Sequence, residues 1–207
     1  MSQTHITLFS KLQAYVDTID ISSVSGERKK VLEPFINYIQ NKKDNGSEIN
    51  LNFICTHNSR RSQLSQVWGK TAAAYFGYEI KSFSGGVEVT VFNERAVECL
   101  KRAGFEIQIE GDENPHYSVY FAEKEGVINT FSKVFDDPEN KVEKFAAIMT
   151  CSHADENCPF IPGAEVRLPV RYEDPKAFDG TPQEAEKYDE RSKQIATELF
   201  YVFSKIS

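Results

Sequence analysis

Cys55 and Arg61, with five residues between them, are of the types and at the spacing that nucleophilic chemistry on an anion requires. Leu51, Phe53 and Ile54 form a short apolar run that stops at the cysteine, and a polar loop follows. Leu64, Val67, Trp68, Ala72, Tyr75 and Phe76 then recur at helical spacing. The reading is a strand, a loop and a helix, with Cys55 at the strand's carboxyl end and Arg61 where the helix begins. The first amides of a helix lack intrahelical acceptors and carry the positive end of its dipole. A tetrahedral oxyanion placed there is held by the loop amides and the Arg61 fork. The same field favours a thiolate at Cys55, a nucleophile at neutral pH. A buried core cysteine beside two surface arginines is the alternative reading of this stretch.

The elements that must position these residues alternate. Tyr78 to Ser84 reads as a second strand ending in Ser84-Gly85-Gly86, and Asn93 caps a helix carrying Ala96, Val97, Leu100 and Ala103 that Gly104 closes. Cys99 falls on that helix as a core residue. Tyr117 to Ala122 reads as a strand, Val127 to Val134 as a short helix and residues 136–141 as a turn. Phe145 to Met149 is a buried strand that delivers Thr150 and Cys151 to the same sheet edge as Cys55. Val166 to Val170, with its proline, is an edge strand, and Asp174-Pro175 lies in the loop beyond. A long amphipathic helix closes the chain, with Tyr188, Ser192, Ile195, Leu199 and Val202 on one face. This alternation argues for a parallel α/β sheet with helices on both faces, whose carboxyl edge is where ligands bind.

Residues 1–48 read as a helical extension. Ile6, Phe9, Leu12, Val16 and Ile19 mark one apolar stripe; Leu32, Phe35, Ile36 and Ile39 mark a second, capped by Ser25. The stripes suit packing or a partner surface, with packing favoured. The 207 residues, 40% hydrophobic and 27% charged, fit one globular domain with room for this appendage. A net charge of −7 argues against a nucleic-acid partner or an anionic-membrane surface and requires any anion site to be a local positive pocket. No signal peptide or membrane-spanning run is read, and the 4 cysteines do not suggest a disulfide scaffold, so a cytoplasmic location with working thiols is expected.

Cys55-Thr-His-Asn-Ser-Arg-Arg-Ser62 resembles the anion-binding loop of the low-molecular-weight protein tyrosine phosphatase superfamily, which includes the thioredoxin-coupled arsenate reductases. The family's third loop residue is usually glycine and is His57 here. Cys151 to Cys158, two cysteines separated by six residues, resembles the redox segment of the reductases, which plain tyrosine phosphatases lack. Lys176, where phosphatases place an aromatic after Asp-Pro, also resembles the reductase version. The resemblance spans roughly residues 50–207, apart from an apparent insertion at 111–144. It implies a three-layer α/β/α domain around a four-stranded parallel sheet over residues 49–207. It also implies that the family's potassium site would draw an acidic ligand at position 66, where this chain has Gln66.

The function so implied is reduction of arsenate to arsenite. Cys55 attacks, Arg61 with Thr56, His57, Asn58, Ser59, Arg60 and Ser62 binds the oxyanion, and Asp174 protonates the leaving oxygen. Cys151 and then Cys158 relay the disulfide, and thioredoxin is the external reductant with no tightly bound cofactor. The polar residues between the two cysteines suggest a mobile, solvated loop. Three alternatives stand beside this reading. One is a phosphatase using only Cys55, Arg61 and Asp174 on phosphate esters. Another is an oxyanion or metal sensor without turnover. The last gathers Cys55, His57, Cys151, His153 and Cys158 around zinc.

Overall fold

The computed structural model describes residues 6–124, 126–140, 143–157 and 160–207, the side chain of Asn157 excepted. The apolar run before Cys55 forms strand β1 (Asn50–Cys55), buried along its whole length as a central parallel strand must be. It pairs with β2 (Lys81–Gly86) on one side and β6 (Phe145–Met149) on the other, and β7 (Ala164–Pro169) lies outside β6. All three pairings are parallel. Pro169 is tolerated because β7 is an edge strand. The register sets Cys55 beside Gly86 and Ile54 beside Met149, so the residues after β1, β2 and β6 meet at one edge.

Side-chain alternation gives the sheet two covered faces. Leu51, Phe53, Ala146, Ile148 and Leu168 face the larger layer, built from α2 (Gly26–Asp44), α3 (Arg61–Tyr75) and α6 (Glu184–Ser204). Ile54, Ala147 and Met149 face the smaller one, formed by α5 (Ser152–Asn157) with Phe135 and Ile161. The result is the three-layer α/β/α domain expected from the alternation, with a four-stranded parallel sheet. Trp68 is the hub of the larger layer. Fully buried, it stacks on Tyr15 of α1 (Ser10–Val16), meets Phe105 and Phe200 edge-on, and donates from Nε1 to Ser192 Oγ at 2.9 Å.

The amino-terminal helices share this core. Leu12, Val16, Leu32, Phe35 and Ile39 are buried in the same cluster as β1, α3 and α6, and the Ser25 side chain caps α2 by accepting from Arg28 N at 3.2 Å. The helix α4 (Glu94–Ala103) has the Asn93 cap and a Gly104 terminator at φ 111°, where a Cβ would meet Leu12 backbone at 2.5 Å.

Two expectations need correction. Val127–Val134 is not a helix: β5 (Val127–Thr130) pairs antiparallel with β4 (His116–Tyr120), which pairs with β3 (Glu106–Glu110). The β-branched run there alternates exposed and buried residues, a period of two that is short enough to be taken for a helical turn. The strand β3, Glu-Ile-Gln-Ile-Glu, alternates polar and apolar residues in sequence, but none of its side chains is buried and Ile109 is exposed. Finally, the residues after Cys151 form α5 instead of a mobile loop. Asp155 anchors that helix by accepting from Arg167 Nε at 2.9 Å and Arg171 Nε at 2.8 Å. The turn at 136–141 contains a 3-10 segment at Pro138–Asn140, Lys141 lying outside the described residues.

Because α2 is part of the main core, Phe35→Ala should destabilise the whole domain. Phe35 is fully buried and packs edge-on to Phe53 of β1 at 6.4 Å. A loss of about 3–5 kcal/mol is expected in a single cooperative transition on denaturant unfolding. A loss confined to a separate, early transition would mean that residues 1–48 fold apart from the sheet.

Candidate active site

The loop between β1 and α3 is held by one side chain in particular. Asn58, fully buried and in the left-handed region at φ 46°, donates from Nδ2 to Ser62 Oγ at 2.8 Å. Its Oδ1 accepts from Lys133 N at 3.0 Å and Gln63 Nε2 at 3.2 Å. Asparagine tolerates that backbone region better than branched residues do. The positive φ thus falls on Asn58 and not on His57, so the histidine at the usual glycine position imposes no strain. Gly86 presses on the loop from β2: a Cβ there would meet Asn58 N at 2.8 Å and Thr56 O at 2.9 Å. Val87 N and Glu88 N both donate to Thr56 O at 2.8 Å.

Cys55 is 3% exposed, and its Sγ lies 3.0 Å from Ser62 Oγ. Since Asn58 already donates to Ser62 Oγ, the serine hydrogen is free to point at the sulfur, which is the bond a sulfur nucleophile accepts. Ser62 and Arg61 open α3, so the helix's first amides converge on the same space. Arg61 donates to Tyr172 O at 3.1 Å and to Asp174 Oδ2 at 2.8 Å. Asp174 also caps the following 3-10 turn by accepting from Lys176 N at 3.1 Å. The candidate acid and the anion fork are therefore in direct contact, and an oxyanion entering the loop competes with Asp174 for Arg61.

Cys151, 1% exposed, follows β6 directly. Thr150 N and Oγ1 bond to Ile54 O at 2.7 and 2.9 Å, and Cys151 Sγ lies 3.4 Å from Thr56 Oγ1. Adjacent strands thus bring Cys55 and Cys151 to one loop. Cys158 lies outside the described residues. The remaining sequence candidates divide. The Arg60 side chain donates to Tyr188 OH at 2.8 Å and pairs with Asp179 at 3.5 Å and with Asp174 at 4.0 Å. Ser59 Oγ bonds to Val91 O at 2.7 Å. His57 is exposed, pairs with Glu88 at 3.5 Å and offers only its carbonyl to Thr90 and Ser132. Cys99 is remote from the loop residues, and burial pushes its thiol up to about 12.

The side chains and carbonyls that support this loop from behind come from residues far along the chain. Phe131 O accepts from Gln63 at 2.9 Å, and Ser132 and Lys133 hold His57 and Asn58 from the segment taken for a helix. No local signal marks such partners, because they are joined only by the fold. Burial lowers the Lys133 ammonium to about 8, where it rests over the Phe131 ring at 4.5 Å. Among the described residues no group of three or more His, Cys, Asp or Glu side chains is arranged to hold a metal ion.

A parallel sheet whose first strand ends in a cysteine–arginine anion loop defines the low-molecular-weight phosphatase fold. The crystal structure of a low-molecular-weight protein tyrosine phosphatase from T. tengcongensis matches at a TM-score of 0.50 and 18% identity, over 76% of this chain and 99% of that one. By sequence, arsenate reductase 2 of Staphylococcus epidermidis is 32% identical over 124 residues, 59% of this chain and 76% of that protein. Arsenate reductase of Halalkalibacterium halodurans is 30% identical over 132 residues, 64% of this chain and 78% of that protein. The chain belongs to the arsenate reductase family. No family model matches it.

The potassium ion implied by the resemblance does not fit at Gln66. Its Oε1 accepts from Ser84 Oγ at 2.6 Å and lies 3.0 Å from Thr130 Oγ1, whose single hydrogen it shares with the nearer Gln63 Oε1. Its Nε2 donates to Ser82 O at 3.1 Å and Asn129 O at 3.4 Å, so both amide hydrogens are used within the protein and none of the charge a carboxylate would bring is present. Exchanging potassium for sodium at constant ionic strength should leave the thermal midpoint unchanged. Gln66→Glu buries a charge against two carbonyls and should cost about 3–5 kcal/mol, read by denaturant unfolding. A midpoint that rises with potassium in the parent protein would overturn this assignment.

Proposed function

We propose that this chain reduces arsenate to arsenite with its own thiols as the electron source, thioredoxin resetting it from outside. The observation that carries the reading is the meeting of Cys55 and Cys151 at the ends of adjacent parallel strands, both hydrogen-bonded within one anion loop. The family membership supports the same substrate. Arsenate is a tetrahedral oxyanion, and the α3 amides, Arg61 and the loop backbone from Thr56 to Ser62 suit its oxygens.

The reaction uses each group once. Cys55 sulfur attacks arsenic, and Asp174 gives a proton to the departing hydroxyl, which leaves as water. Cys151 sulfur then attacks Cys55 sulfur. The S–As bonding pair goes to arsenic, which leaves as arsenite, and a Cys55–Cys151 disulfide remains. Cys158 attacks Cys151 and frees Cys55, leaving a Cys151–Cys158 disulfide for thioredoxin. Two thiols thus supply the two electrons that arsenic gains. No helix of the described chain is long and apolar enough to cross a membrane, and a reducing cytoplasm suits a cycle that begins from free thiols.

A phosphatase reading also has an observation behind it: the Arg61–Asp174 contact and the Cys55 loop need neither of the other cysteines. A phosphate ester would then be hydrolysed through a Cys55 phosphoenzyme, with the cysteine pair guarding Cys55 against oxidation.

The decisive measurement is arsenate-dependent NADPH consumption with thioredoxin and its reductase, run beside ester hydrolysis. Cys55→Ser should abolish both activities. Asp174→Asn should slow the first step by about two to four powers of ten. Cys158→Ser should turn over once and accumulate a Cys55–Cys151 disulfide detectable by peptide mapping. Rapid ester hydrolysis with no arsenate-dependent disulfide in the parent would replace this reading with the phosphatase one.

A further inference from the structure

Cys151 is 1% exposed, so its thiol proton has no direct path to water. One hydroxyl bridges the gap. Thr56 Oγ1 lies 3.4 Å from Cys151 Sγ and 3.2 Å from His153 Nδ1. The arrangement follows from the chain path. His153 stands two residues after Cys151, in the first turn of α5, where its ring reaches Thr56 at the end of β1. Thr56 is buried and His153 is exposed, so the row runs from the core to the surface.

A hydroxyl carries one hydrogen and accepts through two lone pairs. If Thr56 donates to His153 Nδ1, its oxygen accepts the Cys151 S–H. In the opposite polarity, a protonated Nδ1 donates to Thr56 and Thr56 donates to the sulfur anion. Both polarities use the same three heavy atoms at the same distances. They are the two ends of one proton shift.

We propose that His153 is a positioning residue for the second nucleophile, taking the Cys151 proton through the Thr56 hydroxyl. The S–H bond breaks as a new O–H bond forms at Thr56. The original Thr56 O–H bond breaks as an N–H bond forms at Nδ1. One proton leaves sulfur, one reaches the imidazole, the threonine is unchanged and no electrons are exchanged. The thiolate left behind accepts from Thr56 and from the backbone N–H of Ala154, already 3.4 Å from the sulfur. The other charged groups around α5 are engaged elsewhere. Asp155 is clamped by Arg167 and Arg171, His57 pairs with Glu88, and Arg61 pairs with Asp174; Glu156 is exposed on α5 itself.

The inference rests on Cys151 acting as second nucleophile, yet its test needs no arsenate. In full-length protein carrying Cys55→Ser and Cys158→Ser, the thiolate absorbance near 240 nm reports Cys151, because burial pushes Cys99 up to about 12. Absorbance is followed against pH with His153, with His153→Gln and with Thr56→Val. Glutamine can keep the hydrogen bond to Thr56 but cannot accept a proton, so a merely structural role would survive it. We expect His153→Gln and Thr56→Val each to move the absorbance step upward by about one pH unit, a tenfold loss of thiolate at a given pH. Combining them should add nothing, and Thr56→Ser, which keeps the hydroxyl, should titrate like the parent. Unfolding midpoints measured alongside verify that each variant is folded. An unchanged step in His153→Gln would overturn the proposal, as would an unchanged step in Thr56→Val. If the steps shift as expected while arsenate produces no disulfide in the unsubstituted protein, the relay stands and the reductase cycle falls.

Discussion

The buried carboxamide of Asn58 is the contact on which the site depends. A loop that gathers amides around an anion brings like dipoles together and is held only if something ties it from behind. Asn58 does this from a left-handed backbone position, with its oxygen on Lys133 N and Gln63 and its nitrogen on Ser62. Ser62 in turn faces the Cys55 sulfur. The Cys55 hydrogen bond therefore depends on an asparagine tied both to Ser62 and Gln63 at the start of α3 and to Lys133, far along the chain.

The antiparallel strands and the amino-terminal helices belong to the same support. The three antiparallel strands β3, β4 and β5 end in the residues that clasp the loop, and Thr130 joins that clasp to Gln66 on α3. On the opposite side, Arg28 of α2 makes a two-point contact with buried Glu198 at 2.9 and 2.6 Å and lies over the Tyr172 ring. The Tyr172 carbonyl accepts from Arg61, and Asp174 follows two residues later. The extension thus packs against the segment that carries the candidate acid. A helix outside the resemblance to the phosphatase superfamily is in contact with the residues that position the chemistry.

The potassium question shows how one substitution rewires a site. A carboxylate can neutralise a cation but cannot donate, whereas Gln66 donates to two backbone carbonyls, accepts from Ser84 and shares the Thr130 hydroxyl with Gln63. The amide finds its partners among protein groups, which ties α3 to β2 and β5 behind the loop. That exchange of one oxygen for an NH2 converts a charge requirement into a geometric one.

The strand–loop–helix unit around Cys55 was legible because its signals are local. The apolar run, the cysteine that ends it and the helical spacing from Leu64 to Phe76 each describe neighbours in the chain. The same holds for the Asn93 and Ser25 caps and for β6 leading to Cys151. The short elements were not legible. Residues 127–134 and 152–157 span too few positions for periodicity to separate strand, helix and loop; pairing with β4 decides the first and the Asp155 clamp to Arg167 the second. Side-chain direction was equally hidden: Arg60 and Arg61 are neighbours, yet Arg60 donates to Tyr188 OH and Arg61 donates to Asp174 and the Tyr172 carbonyl. The order of the amino acids determined which chemistry was present at the sheet edge. Only the tertiary structure decided which groups touch, because those contacts join residues dozens of positions apart whose meeting depends on every strand and helix between them.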